Sequence, residues 1–182
     1  MARIYLVRHG KAAASFTEDP DPGLDALGHH QAQEACQALK GKLPLDIISS
    51  PLLRAQETAI PLSQETNVDV KIEKAVSEVP SGNISLDERG AWLGAIMEGQ
   101  WSNQSEALQQ WRSGILDFLL SIESDTAVFT HFVTINTAVG IAEGKDQVLM
   151  FRPDNASVSI LDNSGGKLKL IHRGDEANTK VN

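Results

Sequence analysis

The sequence predicts a three-layer α/β/α sandwich around a mainly parallel sheet with at least one antiparallel strand. Three observations predict it. Short apolar, β-prone runs alternate with helical patterns, which implies right-handed βαβ crossovers. The first run, Ile4, Tyr5, Leu6 and Val7, is apolar throughout and ends near a glycine, as a short buried strand does. Two closing segments, 156–161 and 167–171, flank Asn163-Ser164-Gly165-Gly166, a hairpin signature that pairs its strands antiparallel.

The elements follow in order. A loop rich in Asp, Pro and Ala runs from residue 11 to 23. Asp25-Ala26-Leu27-Gly28 opens a helix to about residue 40, with Leu27, Ala35 and Leu39 as inward residues. Residues 46–49 read as a second strand. Ser50-Pro51 then reads as a helix start, because serine caps and proline suits the first helical position. That helix carries Leu52, Leu53, Arg54, Ala55 and Thr58. Residues 68–72 alternate apolar and polar, as a third strand does. A loop at 78–82 precedes helices at 86–97 and 104–122. A strand at 126–130 ends at His131, and residues 134–142 form a further helix. One domain over 1–173 is expected, with a small helical insertion around 83–103 and a frayed polar tail at 174–182.

Composition narrows the function classes. The chain has 182 residues, 41% of them hydrophobic, enough for one domain with a real core and against disorder. Its net charge of −8 disfavours nucleic acid as a partner, although arginines in a cleft can still create a local positive potential. One cysteine, Cys36, excludes an internal disulfide and a cysteine-rich zinc site; it falls in a helical pattern and reads as a packing residue. No apolar stretch approaches the ~20 residues of a membrane span, so no membrane partner is expected. No signal-peptide pattern is evident, and a cytoplasmic location is the expectation.

The chemistry concentrates at the carboxyl ends of the expected strands, where open α/β sheets form ligand crevices. Arg8 and His9 follow the first strand, Arg54 lies in the first turn after the second, and His131 follows the strand at 126–130. If those strands are parallel neighbours, two guanidiniums and two imidazoles converge. Guanidinium groups suit phosphate oxygens, and histidine can carry a phosphoryl group covalently. His29 and His30 are adjacent on a helix, diverge by about 100° and read as solvated surface. His172 has no clustered partners, and no Walker-type phosphate loop is present.

Taken together, Leu6-Val7-Arg8-His9-Gly10, Leu24-Asp25-Ala26-Leu27-Gly28 and Ser49-Ser50-Pro51-Leu52-Leu53-Arg54-Ala55 with Thr58 form one pattern. It continues with Glu78, Thr130-His131 and Asn155-Ala156-Ser157. This pattern resembles the histidine phosphatase superfamily, which includes cofactor-dependent phosphoglycerate mutases and many phosphatases. A small phosphatase-type member is implied. The resemblance implies that His9 is the nucleophile, becoming a phosphohistidine, and that Arg8, Arg54 and His131 bind phosphoryl oxygens. Glu78 would protonate the leaving alcohol and then draw a proton from water; Glu73, Asp87 and Glu88 are the competing carboxylates nearby. No metal or cofactor is implied, because cationic side chains do the electrostatic work.

Two departures from the pattern bear on the pocket. Lys11-Ala12-Ala13-Ala14 stands where many relatives carry polar residues, leaving Ser15 or Thr17 as substitutes. Phe132-Val133 follows His131 in place of glycines, so Phe132 either narrows the pocket or packs inward. Trp92, Trp101 and Trp111 read as core packing or as a pocket wall. The expected activity is hydrolysis of a phosphomonoester, with a small phosphorylated molecule as substrate and a phosphoprotein as the other option. The alternatives are a phosphoglycerate mutase-type phosphotransferase and a phosphate-recognition module without turnover.

Overall fold

A computed structural model describes residues 1–15 and 17–177 of the chain. Six strands form one sheet: β1 (Arg3–Arg8), β2 (Asp46–Ser49), β3 (Val70–Ile72), β4 (Thr126–Thr130), β5 (Val158–Asp162) and β6 (Lys169–His172). Five α-helices accompany them: α1 (Ala26–Leu39), α2 (Leu53–Thr66), α3 (Arg89–Met97), α4 (Glu106–Ser121) and α5 (Phe132–Glu143). The sheet order is β3-β2-β4-β1-β5-β6. β1, β2, β3 and β4 run parallel, and β5 lies antiparallel to both its neighbours.

The apolar character of β1 has a direct cause: both of its faces are covered. Ile4 and Leu6 pack with Ile115 and Leu119 of α4, Ile135 of α5 and Val128. Tyr5 and Val7 point the other way, into Ala35 and Leu39 of α1, Ala59 and Leu62 of α2, and Phe129. The period-2 alternation of one strand thus feeds two cores, and the three layers follow. A third cluster joins Val79, Ile96, Trp101, Leu108, Phe132 and Val133 under the helical segment that carries α3. The edge strands β3 and β6 are mostly exposed and short.

Several boundaries and faces differ from expectation. Leu27 is 49% exposed; the buried face of α1 runs through Gly28, Ala32, Ala35, Cys36 and Leu39, about 100° round the helix from Leu27. Helix α2 begins at Leu53 rather than at Pro51. Leu52 is extended, and the Ser50 hydroxyl accepts the Leu52 N–H at 3.2 Å instead of capping a helix. Helix α5 begins at Phe132, two residues earlier than expected, with His131 as its N-cap residue. The turn between β5 and β6 carries Gly165 and Gly166 at φ 71° and 68°, a left-handed conformation suited to glycine. Of the stretch expected as a tail, Glu176 bridges to Pro153 and the Ala177 N–H donates to the Arg152 carbonyl; 178–182 lie outside the described residues.

The loop after β1 is held by a backbone contact that only glycine permits. A Cβ on Gly10 would lie 2.5 Å from the Gly28 carbonyl oxygen, and one on Gly28 only 2.1 Å from that of Lys11. Asp25 completes the joint, accepting the Gly28 N–H at 2.7 Å and donating its own N–H to the Lys11 carbonyl at 3.0 Å. Gly28→Ala is therefore expected to destabilise the protein by about 2 kcal/mol or more, because backbone must move to admit the methyl. Urea denaturation measures this, and a change within about 0.5 kcal/mol would show that the joint yields freely.

Candidate active site

Strand register delivers the site. Arg8 stands opposite Thr130 in the β1–β4 pair, and Ser49 opposite Phe129 in the β2–β4 pair, so three parallel strands end at one level. The chain continues the ladder past those ends: the His9 N–H donates to the Thr130 carbonyl, and the Ser50 N–H to the Phe129 carbonyl, both at 3.0 Å. Arg8, His9, Arg54 and His131 are all buried at this edge. The His9 and His131 rings are 5.2 Å apart between centroids.

His9 is oriented on both ring nitrogens. Its Nδ1 lies 2.7 Å from the Gly10 carbonyl oxygen, which can only accept, so Nδ1 carries the proton. Its Nε2 accepts from Arg54 Nε at 3.3 Å and so holds a lone pair. Burial, Arg54 and Arg8 together keep the imidazole well below its ordinary range of protonation. Around it, Thr58 accepts the Gly10 N–H at 3.0 Å and donates to the Arg54 carbonyl at 2.6 Å. Asn155 donates its side-chain amide to the His9 carbonyl at 3.0 Å.

The two arginines are fixed differently. Arg8 donates from Nη1 to the Pro153 carbonyl at 2.8 Å and lies over the Phe132 ring at 5.1 Å. Burial lowers its pKa to about 10, against the opposing pull of Glu78 and Asp154. Arg54 Nη1 lies 3.9 Å from an Asp21 carboxylate oxygen, and burial lowers this guanidinium's pKa too. His131 is fully buried, and its Nε2 lies 2.7 Å from the Ser50 hydroxyl. Burial, His9 and the two arginines hold it well below its usual pKa. Arg8 Nε and His131 Nδ1 have no hydrogen-bond partner among the described residues.

Glu78 belongs to the same cavity. Its carboxylate accepts the Val79 N–H at 2.9 Å and the Val133 N–H, in the first turn of α5, at 3.2 Å. Those bonds and the two arginines favour the ionised form, yet burial outweighs them and raises its pKa. The neighbouring carboxylates are occupied elsewhere: Glu73 caps a turn through the Ala75 N–H, and Glu88 accepts from the Ser85 hydroxyl. The cavity measures about 610 Å³ and is lined by Arg8, His9, Arg54, Glu78, Phe132 and Asn155 at its centre.

Other expectations meet a mixed outcome. Ser15 and Thr17 do line the cavity, but the Ser15 hydroxyl is bonded to Glu18 and Thr17. None of the three tryptophans lines it: Trp101 is buried and packs against Trp111, their ring centroids 5.8 Å apart. Leu93 and Met97 of α3 form the wall instead. Arg54 faces His9, and the Glu57 carboxylate one turn on accepts the Leu24 N–H. Ser50 and Asn155 acquire places in the site that sequence reasoning did not assign, although both sit within the quoted motifs. Asp21, in the loop before α1, offered no signal.

Comparison with known proteins places the chain. The sequence profile of the histidine phosphatase superfamily (branch 1) matches residues 4–176. A probable phosphoglycerate mutase of Proteus mirabilis is 30% identical over 185 residues, covering 89% of this chain and 85% of its own. The glucosyl-3-phosphoglycerate phosphatase of Mycobacterium tuberculosis is 30% identical over 112 residues, covering 55% of this chain. This chain spans half or less of the length of the M. tuberculosis relatives it matches. The native structure of a mycobacterial glucosyl-3-phosphoglycerate phosphatase superposes with a TM-score of 0.75, at 21% identity, over 97% of this chain and all of its own. That likeness establishes the shared phosphoglycerate mutase-like fold.

The two buried imidazoles imprint a pH dependence on stability. Both have depressed pKa values when folded and titrate near pH 6.5 when unfolded. Below that value the unfolded chain binds more protons, so stability falls as pH drops, with a limiting slope of about 1.4 kcal/mol per pH unit for each histidine. Urea denaturation at about pH 7.5 and about pH 5.5 is expected to give a smaller difference for His131→Asn than for the unaltered protein. Equal differences would locate the proton uptake in other groups.

Proposed function

This chain belongs to the histidine phosphatase superfamily, and from that premise and the geometry of its site we propose that it hydrolyses phosphomonoesters through a phosphohistidine on His9. The observation that carries the reading is the state of His9: a neutral imidazole whose protonated Nδ1 is tied to the Gly10 carbonyl, with the Nε2 lone pair facing the buried Arg54 guanidinium.

The reaction proceeds in two displacements. Arg54 Nε, which occupies the Nε2 lone pair at 3.3 Å, turns its donor to a phosphoryl oxygen as substrate enters. Nε2 attacks phosphorus, the P–O ester bond breaks, and Glu78 gives its proton to the leaving oxygen. Its raised pKa supports that acid role. Water then attacks the phosphohistidine, Glu78 takes the water's proton, and the P–N bond breaks with its electron pair returning to Nε2. Arg8, Arg54 and His131 stabilise the negative charge spread over the phosphoryl oxygens. His131 Nδ1 and Arg8 Nε are buried polar atoms without partners among the described residues, and such atoms are costly unless something bonds them. Fixed cations provide the charge stabilisation that a metal supplies in other phosphatases, so chelators are expected to leave turnover intact.

Two measurements test this. Rapid acid quench after labelled substrate should leave no stable label, whereas alkaline quench should retain it on the unaltered protein and not on His9→Ala, as a phosphoramidate requires. Label that survives acid would refute the covalent assignment. Glu78→Gln should lower kcat/KM for alkyl phosphates by about 100-fold or more. It should do so much less for an aryl phosphate, whose leaving group needs little protonation. Equal losses on both would remove Glu78 from the acid role. Isomerisation of 3-phosphoglycerate faster than phosphate release would instead favour the mutase alternative.

A further inference from the structure

The cavity of about 610 Å³ is far larger than one phosphoryl group needs and lies in the range that encloses drug-sized ligands. Its remaining volume therefore belongs to the leaving group. Beyond the phosphate centre its charged lining residues are Lys11, Glu18 and Asp25, and the remainder of the wall is largely apolar. Gly90, Leu93, Gly94 and Met97 stand at i, i+3, i+4 and i+7 of α3, so one helical face turns toward the cavity. Ala12, Ala13 and Ala14 also line it, and their side chains offer no hydrogen-bonding group.

Gly94 opens the same wall further. Glycine is among the poorest helix formers, yet a Cβ at this position would meet no described atom within 4 Å. The space beside it is therefore open, and Gly94 leaves this part of the cavity wall without a side chain. Charge points the same way. Among the described lining residues the only cations are Arg8, Arg54 and Lys11, and Lys11 Nζ is paired with Asp25 at 2.9 Å. Glu18 lines the same cavity, so a leaving group bearing its own carboxylate meets a carboxylate and no unpaired cation outside the phosphate centre.

We infer that the cavity selects phosphomonoesters with an uncharged, largely apolar leaving group and discriminates against those carrying a second anion. The inference rests on the phosphatase reading above and names the substrate class of the same site.

The test compares 2-phenylethyl phosphate with 3-phosphoglycerate and phosphoserine. All three are primary alkyl phosphates, so intrinsic leaving ability is closely matched and the pocket decides. The expected result is a kcat/KM about tenfold or more higher for 2-phenylethyl phosphate. Met97→Lys should move that ratio toward 3-phosphoglycerate by placing an ammonium in the wall. Gly94→Leu should move it the same way by filling the space for the ring. A carboxylate-bearing substrate hydrolysed as well as or better than the phenylethyl ester overturns the inference while leaving the phosphatase reading standing. Ratios that move in neither variant also overturn it. No phosphate release from any ester by the unaltered protein overturns both.

Discussion

The contact between His9 Nδ1 and the Gly10 carbonyl, at 2.7 Å, governs what this site can do. A carbonyl oxygen cannot donate, so the proton is confined to Nδ1 and the lone pair to Nε2. Gly10, which carries that carbonyl, packs against Gly28 at a distance that no side chain permits. The N-terminus of α1, capped by Asp25, thus supports the His9 tautomer from the far side of a loop.

Burial acts on every charged group at this edge, and its consequences differ in sign. It keeps the imidazoles neutral and lowers the arginines, yet raises Glu78. The effect on each follows from one rule, that low-polarity surroundings disfavour the charged form. In the proposed mechanism, which needs a neutral His9 and a protonated Glu78, that single environment favours both states. The arginines keep their charge because their reference value is so high that even a lowering to about 10 for Arg8 leaves it protonated at neutral pH.

The core and the site are made by the same strands. β1 buries Ile4 and Leu6 on one face and Tyr5 and Val7 on the other, then carries Arg8 and His9 beyond the end of the ladder. β4 does the same with Val128, Phe129 and then His131. Anchoring of this kind gives buried polar groups fixed positions, which a loop-borne constellation lacks. The rest of the cavity wall comes from α3 and from the loop after Gly10.

Sequence alone determined the layer architecture and the residues at the strand ends. Those signals are local: an apolar run, a Ser-Ser-Pro step, a Gly-Gly turn and a few side chains at fixed offsets from them. It misjudged Leu27 and the start of α2 and left the tryptophans open between core and pocket wall, because the face a residue presents depends on which partner covers the helix. It assigned no place to Ser50, Asn155 or Asp21, since their roles come from neighbours distant in the chain: His131, His9 and Arg54. Only the tertiary structure decided which carbonyl holds the His9 tautomer, the balance at Glu78 and the apolar wall from α3. Each is set by desolvation and hydrogen bonding across strands and loops, quantities that have no value until the chain is folded.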